Sequence, residues 1–114
     1  MARIIDLDEI AGHGAVKNLS GKPRGEAARA HYDLEQEDKR PEGVVVRIPT
    51  YVLMITSSFF LGLFSPSIET LGEAGFRNKY QFEANQDQMT HVQRGMDRAL
   101  ASRSPFMPIE TSAA

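Results

Sequence analysis

The segment formed by residues 43–64 constrains the fold of this chain more strongly than any other. It opens with an apolar, β-branched run at residues 44–48, a pattern typical of a strand that is buried on both faces of a parallel sheet. Three small hydroxyl residues follow at positions 56–58, and the apolar spacing behind them predicts an amphipathic helix over residues 58–75. Hydroxyl groups at a strand-to-helix junction lie beside free backbone N–H groups. We therefore expect an exposed corner that suits an anion, a phosphoryl group or a protein partner.

Shorter patterns on either side of this segment complete an alternation of strands and helices. The flanking runs predict strands over residues 3–7 and 79–83 and helices over residues 24–37 and 86–102. Asn85 and Gln88 resemble a capping box at the start of the last helix. Alternation of this kind indicates a small α/β domain whose mainly parallel sheet packs against helices, with residues 44–48 as the central strand.

Details within the predicted helices bear on their packing. Ser65 and Pro66 indicate either a kink in the middle helix or a fresh helix start with Ser65 as its cap. The charged run at residues 35–40 is expected to be solvated surface. The apolar stripe of the last helix comprises Met89, Val92, Met96 and Leu100.

The composition favours an ordinary globular protein. Hydrophobic residues make up 41% of the chain and charged residues 25%, at a formal net charge of −2. This charge balance offers no general attraction for nucleic acid or for an anionic membrane surface. No apolar run resembles a signal peptide or is long enough to span a membrane. We expect a cytoplasmic protein with one domain over residues 1–103 and a flexible C-terminal tail over residues 104–114.

No familiar catalytic or cofactor pattern occurs in the chain. It lacks the Gly-x-Ser-x-Gly elbow of hydrolases, the Gly-x-Gly-x-x-Gly dinucleotide motif and the Walker element. The absence of cysteine excludes disulfides and thiolate metal sites, and His13, His31 and His91 do not have the spacing of metal ligands. The sequence therefore predicts a protein that is not an enzyme and that carries neither a metal nor a cofactor.

Several short elements of the chain match a known family. They are Arg24-Gly25, the run at residues 44–48, Ile55-Thr56-Ser57-Ser58-Phe59, Leu71-Gly72 with Phe76, and Tyr80-Gln81-Phe82. Through these elements, residues 16–101 resemble the STAS-like domains of unknown function, which are distant relatives of the STAS domains of bacterial anti-sigma-factor antagonists. The resemblance implies a STAS-like fold and a role as a non-catalytic regulatory or protein-interaction module in signalling.

The same resemblance bears on the hydroxyl residues. At the corresponding corner the antagonists typically carry Asp-Ser-Ser-Gly, and a kinase phosphorylates the first serine. In this chain Thr56 stands in place of the aspartate, Ser57 matches the phosphorylated serine, and Phe59 replaces the glycine. The resemblance thus implies regulation by phosphate at Ser57, although the aspartate and the glycine are both absent. It also implies a protein partner, either an ATPase of the histidine-kinase type or another signalling protein.

Two interpretations of this corner are open on the sequence alone. Thr56, Ser57 and Ser58 form a contact for a partner or an anion, or Ser57 only caps the following helix. Arg24, near the start of the first helix, either contacts a phosphate or carboxylate or is a solvated surface residue. The main alternative to an interaction module is a sensor domain that binds a small anion or a nucleotide here. No sequence feature indicates an oligomeric state.

Overall fold

A parallel sheet with helices packed against it forms the centre of the fold. The computed structural model describes residues 2–103. Within them the strands are β1 (Arg3–Asp6), β2 (Asn18–Leu19), β3 (Val44–Arg47), β4 (Met54–Ile55) and β5 (Tyr80–Glu83). The helices are α1 (Lys22–Tyr32), α2 (Leu34–Glu37), α3 (Ser57–Lys79) and α4 (Gln86–Arg103), with a 3₁₀ turn at Gly12–Gly14.

The main sheet has the strand order β1-β3-β5, and both neighbouring pairs are parallel. In its register Ile5 lies beside Val46, and Val46 lies beside Phe82. This arrangement confirms the predicted α/β class and the central position of the strand at residues 44–48. A second, two-stranded parallel sheet pairs β2 with β4.

The described helices cover only one face of the main sheet. Val44 and Val46 are buried on the covered face, whereas Val45 is half-buried and Arg47 is exposed on the other. The prediction of a strand buried on both faces is therefore wrong. On the open face Arg47 lies between acidic neighbours, 2.8 Å from Glu83 and 4.0 Å from Asp6. These ion pairs keep the open face polar towards the carboxyl ends of the strands.

The middle helix α3 runs further than its sequence predicts. It begins at Ser57 and reaches Lys79, where β5 follows directly. Gly72, with φ 77° and ψ 169°, kinks α3 and divides it into two helical segments, over residues 57–71 and 73–79; glycine adopts this conformation readily because it lacks Cβ. Pro66 lies inside the helix without a break in the backbone angles, so no fresh helix starts at Ser65, and the predicted end at residue 75 is wrong because helical residues continue to Lys79.

The predicted helix over residues 24–37 is two helices. Asp33 adopts φ 54° and separates α1 from α2. Pro23 lies in the first turn of α1, where its missing N–H is harmless. The buried residues of α1 are Gly25, Ala28 and Tyr32. Gly25 lies directly against the backbone of α3, and the hydroxyl of Tyr32 donates to the carbonyl of Asp6 in β1 (2.6 Å).

A buried polar cluster joins the loop after α2 to α1, α3 and β5. The carboxylate of Asp38 accepts hydrogen bonds from Tyr80 Oη (2.5 Å), Ser67 Oγ (2.5 Å) and Arg29 Nη2 (3.1 Å). Burial, followed by the hydrogen bond with Asp38, raises the pKa of Tyr80. Glu37 is buried as well, so the prediction of a solvated surface at residues 35–40 is wrong for Glu37 and Asp38. Each charge in this cluster has its partners inside the fold.

The start of α4 confirms the predicted capping box. Asn85 Oδ1 accepts from the N–H of Gln88 (2.8 Å), and Gln88 Oε1 accepts from the N–H of Asn85 (3.0 Å). The side-chain amide of Gln88 also donates to the carbonyls of Pro49 (2.8 Å) and Val52 (2.9 Å), which fixes the loop between β3 and β4. Further along α4, Val92 and Met96 are buried and Leu100 is partly buried, as expected for the apolar stripe, but the inclusion of Met89 is wrong because this side chain is 38% exposed.

The tail predicted for residues 104–114 lies outside the described residues. None of the helices found in residues 2–103 is both long enough and apolar enough to cross a membrane.

Candidate functional site

The hydroxyl residues at positions 56–58 lie at the start of α3, as predicted, but not at the end of the central strand. β3 ends at Arg47, and the chain then passes through Pro49, which cannot donate a ladder hydrogen bond. β4 pairs with β2 instead, with Ile55 beside Leu19. The carboxyl end of β4, rather than that of the main sheet, therefore leads into the corner, which we name the α3 corner (Thr56, Ser57 and Ser58).

Thr56 is the N-cap residue of α3. Its hydroxyl accepts a hydrogen bond from the N–H of Phe59 (3.2 Å), and its backbone is extended, with φ −73° and ψ 154°. The same hydroxyl accepts from the N–H of Gly21 (3.3 Å), and the N–H of Thr56 donates to the carbonyl of Leu19 (2.9 Å). The interpretation that Ser57 caps the helix is therefore wrong, because Thr56 fills that role.

Ser57 and Ser58 are left with unused polar groups. Both residues are half-buried, and neither hydroxyl forms a hydrogen bond with any of the described residues. Their N–H groups lie in the first turn of α3, where a helix offers no internal acceptor. Two hydroxyls and two amide N–H groups are thus available to an outside ligand or partner.

A second helix begins beside the first. α1 starts at Lys22, directly after Gly21, whose N–H donates to the Thr56 hydroxyl. The positive ends of two helix dipoles therefore meet at the α3 corner. The side chain of Lys22 is exposed nearby, and so is that of Lys17, whose carbonyl accepts from Leu53. Negative charge placed here is electrostatically favoured.

Exposed apolar side chains precede the α3 corner. Leu53 is 66% exposed and Met54 is 45% exposed. Because Met54 is only three residues from Ser57, their Cα atoms are at most about 11 Å apart. Leu53, Met54 and the α3 corner thus form a surface that combines apolar and hydrogen-bonding groups.

Arg24 lies on a different surface. It is exposed and lines an open groove of about 510 Å³ whose apolar floor includes Leu19, Ala28 and Phe59. Neither Ser57 nor Ser58 lines this groove, and no hydrogen bond or ion pair joins Arg24 to another described residue. The structure thus does not bring Arg24 and the serines of the corner together in one pocket.

A cluster that the sequence did not reveal lies after β1. The carboxylate of Asp8 accepts hydrogen bonds from the hydroxyl of Tyr51 and from Nδ1 of His13 (2.6 Å). These bonds, that of Tyr51 first, lower the pKa of Asp8 below its ordinary value. His13 adopts φ 55° between two glycines, and the Gly-His-Gly sequence is the only local pattern that indicated an unusual turn here.

Within residues 2–103 no group of three or more acidic, histidine or cysteine side chains could hold a metal ion.

The Asp8→Asn variant is expected to be less stable than wild type at neutral pH but not in acid. Because the folded-state pKa of Asp8 is lowered, its ionised carboxylate stabilises the fold above the unfolded-state pKa, and this contribution is lost as the pH falls through the folded-state value. The difference between the two urea midpoints should therefore be widest well above the unfolded-state pKa of 3.8 and should shrink as the pH falls below it. Glu35→Gln, at an exposed carboxylate, is the control. A difference for Asp8→Asn that stays constant with pH would show that the carboxylate charge contributes nothing.

Comparison with known proteins adds no relative. No protein-family model, no curated protein and no solved structure matches this chain.

Proposed function

We propose that this chain is a non-catalytic, STAS-like regulatory module that binds a protein partner through the α3 corner together with Leu53 and Met54. The observation that carries the proposal is the pairing of two unused serine hydroxyls with two exposed apolar side chains a few residues away. Protein interfaces combine apolar anchors with hydrogen-bonding groups at their rim. Thr56 already caps α3, so Ser57 and Ser58 can change their contacts without loss of the helix start.

The resemblance to anti-sigma-factor antagonists supplies the class of partner. It favours a cytoplasmic ATPase of the histidine-kinase type or another signalling protein, with phosphate on Ser57 as the switch. A phosphate on this residue would meet the N-terminal end of α3 and the neighbouring start of α1. The added charge would be well tolerated by the fold and would alter the surface that the partner contacts.

A second candidate function is the binding of a small anion or a nucleotide at the same corner. The juxtaposition of two helix N-termini favours it, since each offers free N–H groups and positive potential. Exposed Lys22 adds a positive side chain. In this case the corner would be a sensor site, and a protein partner would respond to its occupancy.

Ser57→Asp is expected to weaken partner binding about ten-fold or more, or about 1.4 kcal/mol, while the melting temperature stays near that of wild type. Aspartate suits the positive end of the α3 dipole, so the fold should accept it. Leu53→Lys should also weaken binding, because it replaces an exposed apolar contact with a charge. The measurement is a binding titration against the stoichiometric protein that co-purifies from the native cell, with melting curves in parallel.

Thr70→Asp is the matched control, because it adds the same charge to an exposed position of α3 remote in sequence from the corner. Equal partner affinity for wild type, Ser57→Ala, Ser57→Asp and Leu53→Lys would reject the corner as the contact surface. Calorimetric titration with inorganic phosphate separates the two candidates. Phosphate binding by wild type that Ser57→Asp abolishes, without any protein partner, would favour the sensor.

A further inference from the structure

β5 forms a free edge of the main sheet. The N–H of Ile48 donates to the carbonyl of Glu83 (3.0 Å), so the backbone groups of Gln81 and Glu83 face β3. Peptide groups alternate in direction along a strand, and those of Phe82 therefore point away from the sheet. The carbonyl of Tyr80 points the same way, while its N–H is held by the last turn of α3. β3 is the only strand that pairs with β5 among the described residues.

β5 is short and carries one charged side chain, Glu83, but it lacks three common features that block pairing at a sheet edge. Natural edge strands carry lysine, proline or a bulge that prevents another strand from adding to them. β5 consists of Tyr80, Gln81, Phe82 and Glu83, without any of these features. Beside it lies a groove of about 230 Å³ between β5, α3 and α4. Its apolar lining includes Met89, which is 38% exposed. Burial of this apolar surface against another chain would be favourable.

We propose that a second copy of this chain pairs with this edge, so that the two β5 strands run antiparallel about a two-fold axis at Phe82. The N–H and carbonyl of Phe82 then bond to those of the partner's Phe82. The N–H of Ala84 donates to the Tyr80 carbonyl of the second copy, and the symmetry-related bond forms in the other direction. The two Phe82 bonds and these two bonds make four hydrogen bonds in total. The result is a continuous six-stranded sheet that carries both sets of helices on one face.

The side chains of the edge are complementary to themselves in this register. On the open face Gln81 lies opposite the partner's Glu83, so a neutral amide meets a carboxylate and no like charges are opposed. On the covered face the two Phe82 rings are neighbours, and aromatic cross-strand pairs are favourable. The two grooves face each other across the axis, which brings the exposed Met89 side chains of both copies towards the same apolar contact. A two-fold arrangement closes, so it forms a dimer rather than a filament.

The test is sedimentation equilibrium of the full chain over a wide range of concentration. A reversible monomer–dimer equilibrium is expected. Gln81→Glu opposes like charges twice in the dimer and should weaken association about five-fold or more. In Gln81→Lys the new ammonium group lies opposite Glu83 of the second copy. The association constant should therefore equal or exceed that of wild type. Gln81 is exposed, but its amide donates to the carbonyl of Arg77 (2.9 Å), so melting curves of both variants are recorded beside the association data.

Ile4→Glu is the matched control, because Ile4 is exposed on the same open face but belongs to the opposite edge strand, β1. It should leave the equilibrium unchanged, and so should Ser57→Asp, since the dimer does not use the α3 corner. Slower hydrogen exchange at the Phe82 amide with rising concentration would support the proposed edge directly. A monomer at all concentrations would overturn the proposal. So would a dimer that responds equally to both Gln81 variants, or one that Ile4→Glu abolishes.

Discussion

Gly62→Ala should destabilise the fold by roughly 3 kcal/mol or more, because the helices α1 and α3 touch through their backbones at this point. A Cβ at position 62 would lie 2.3 Å from the carbonyl oxygen of Lys22 and 2.9 Å from the backbone nitrogen of Glu26. Both neighbours are backbone atoms of α1, so no side chain can move aside. The two helices would have to separate, and the hydrogen bonds from Arg29 of α1 to the Leu63 carbonyl and the Ser67 hydroxyl of α3 would weaken.

Urea unfolding followed by circular dichroism measures this effect. Gly75→Ala is the matched control, since Gly75 lies in the segment of α3 after Gly72 and the added Cβ would meet only the side chain of Leu71, at 3.2 Å. Alanine has a higher helix propensity than glycine, which offsets this contact. The midpoint of the control should therefore stay close to that of wild type. A wild-type midpoint for Gly62→Ala would contradict the close approach of α1 and α3.

Asp38→Ala should destabilise the fold by about 3–5 kcal/mol. The side chain of Asp38 is 3% exposed and that of Arg29 is 15% exposed, so removal of the carboxylate leaves a largely buried guanidinium without its counter-charge. The hydroxyl of Tyr80 also loses its acceptor. The loss exceeds that of an ordinary hydrogen bond because the groups that remain stay desolvated.

The same urea experiment tests this prediction, with Glu35→Ala as a control at an exposed carboxylate in α2. A double variant, Asp38→Ala with Arg29→Met, removes both charges together. It should recover part of the lost stability, because the unpaired buried charge is gone. If Asp38→Ala unfolded at the same urea concentration as Glu35→Ala, the buried cluster would not be a stabilising element.

The parts of the fold that follow from local patterns were predictable from the sequence. The β-branched run at residues 44–48 forms the central strand, and Asn85 with Gln88 forms the cap of α4. In both cases the residues that determine the structure lie within a few positions of each other. Local spacing is therefore enough to predict them.

The parts that depend on distant contacts were not predictable in this way. In the sequence, Asp38 is one of several charged residues in a polar run. It is buried because of its contacts with Ser67 and Tyr80, which lie far along the chain. The start of α3 follows the same rule. Serine is by type a better cap than threonine, yet the pairing of β4 with β2 holds Thr56, rather than Ser57, in the capping position.

Gln88 links the region before the α3 corner to α4. Its one amide nitrogen donates to the carbonyls of Pro49 and Val52, so the loop that leads into β4 loses two of its hydrogen bonds when the first turn of α4 opens. Local opening of the loop and of that turn is therefore coupled. Any ligand that orders the corner would also slow the fraying of α4, and a label placed on the first turn of α4 would report events at Ser57 without touching it.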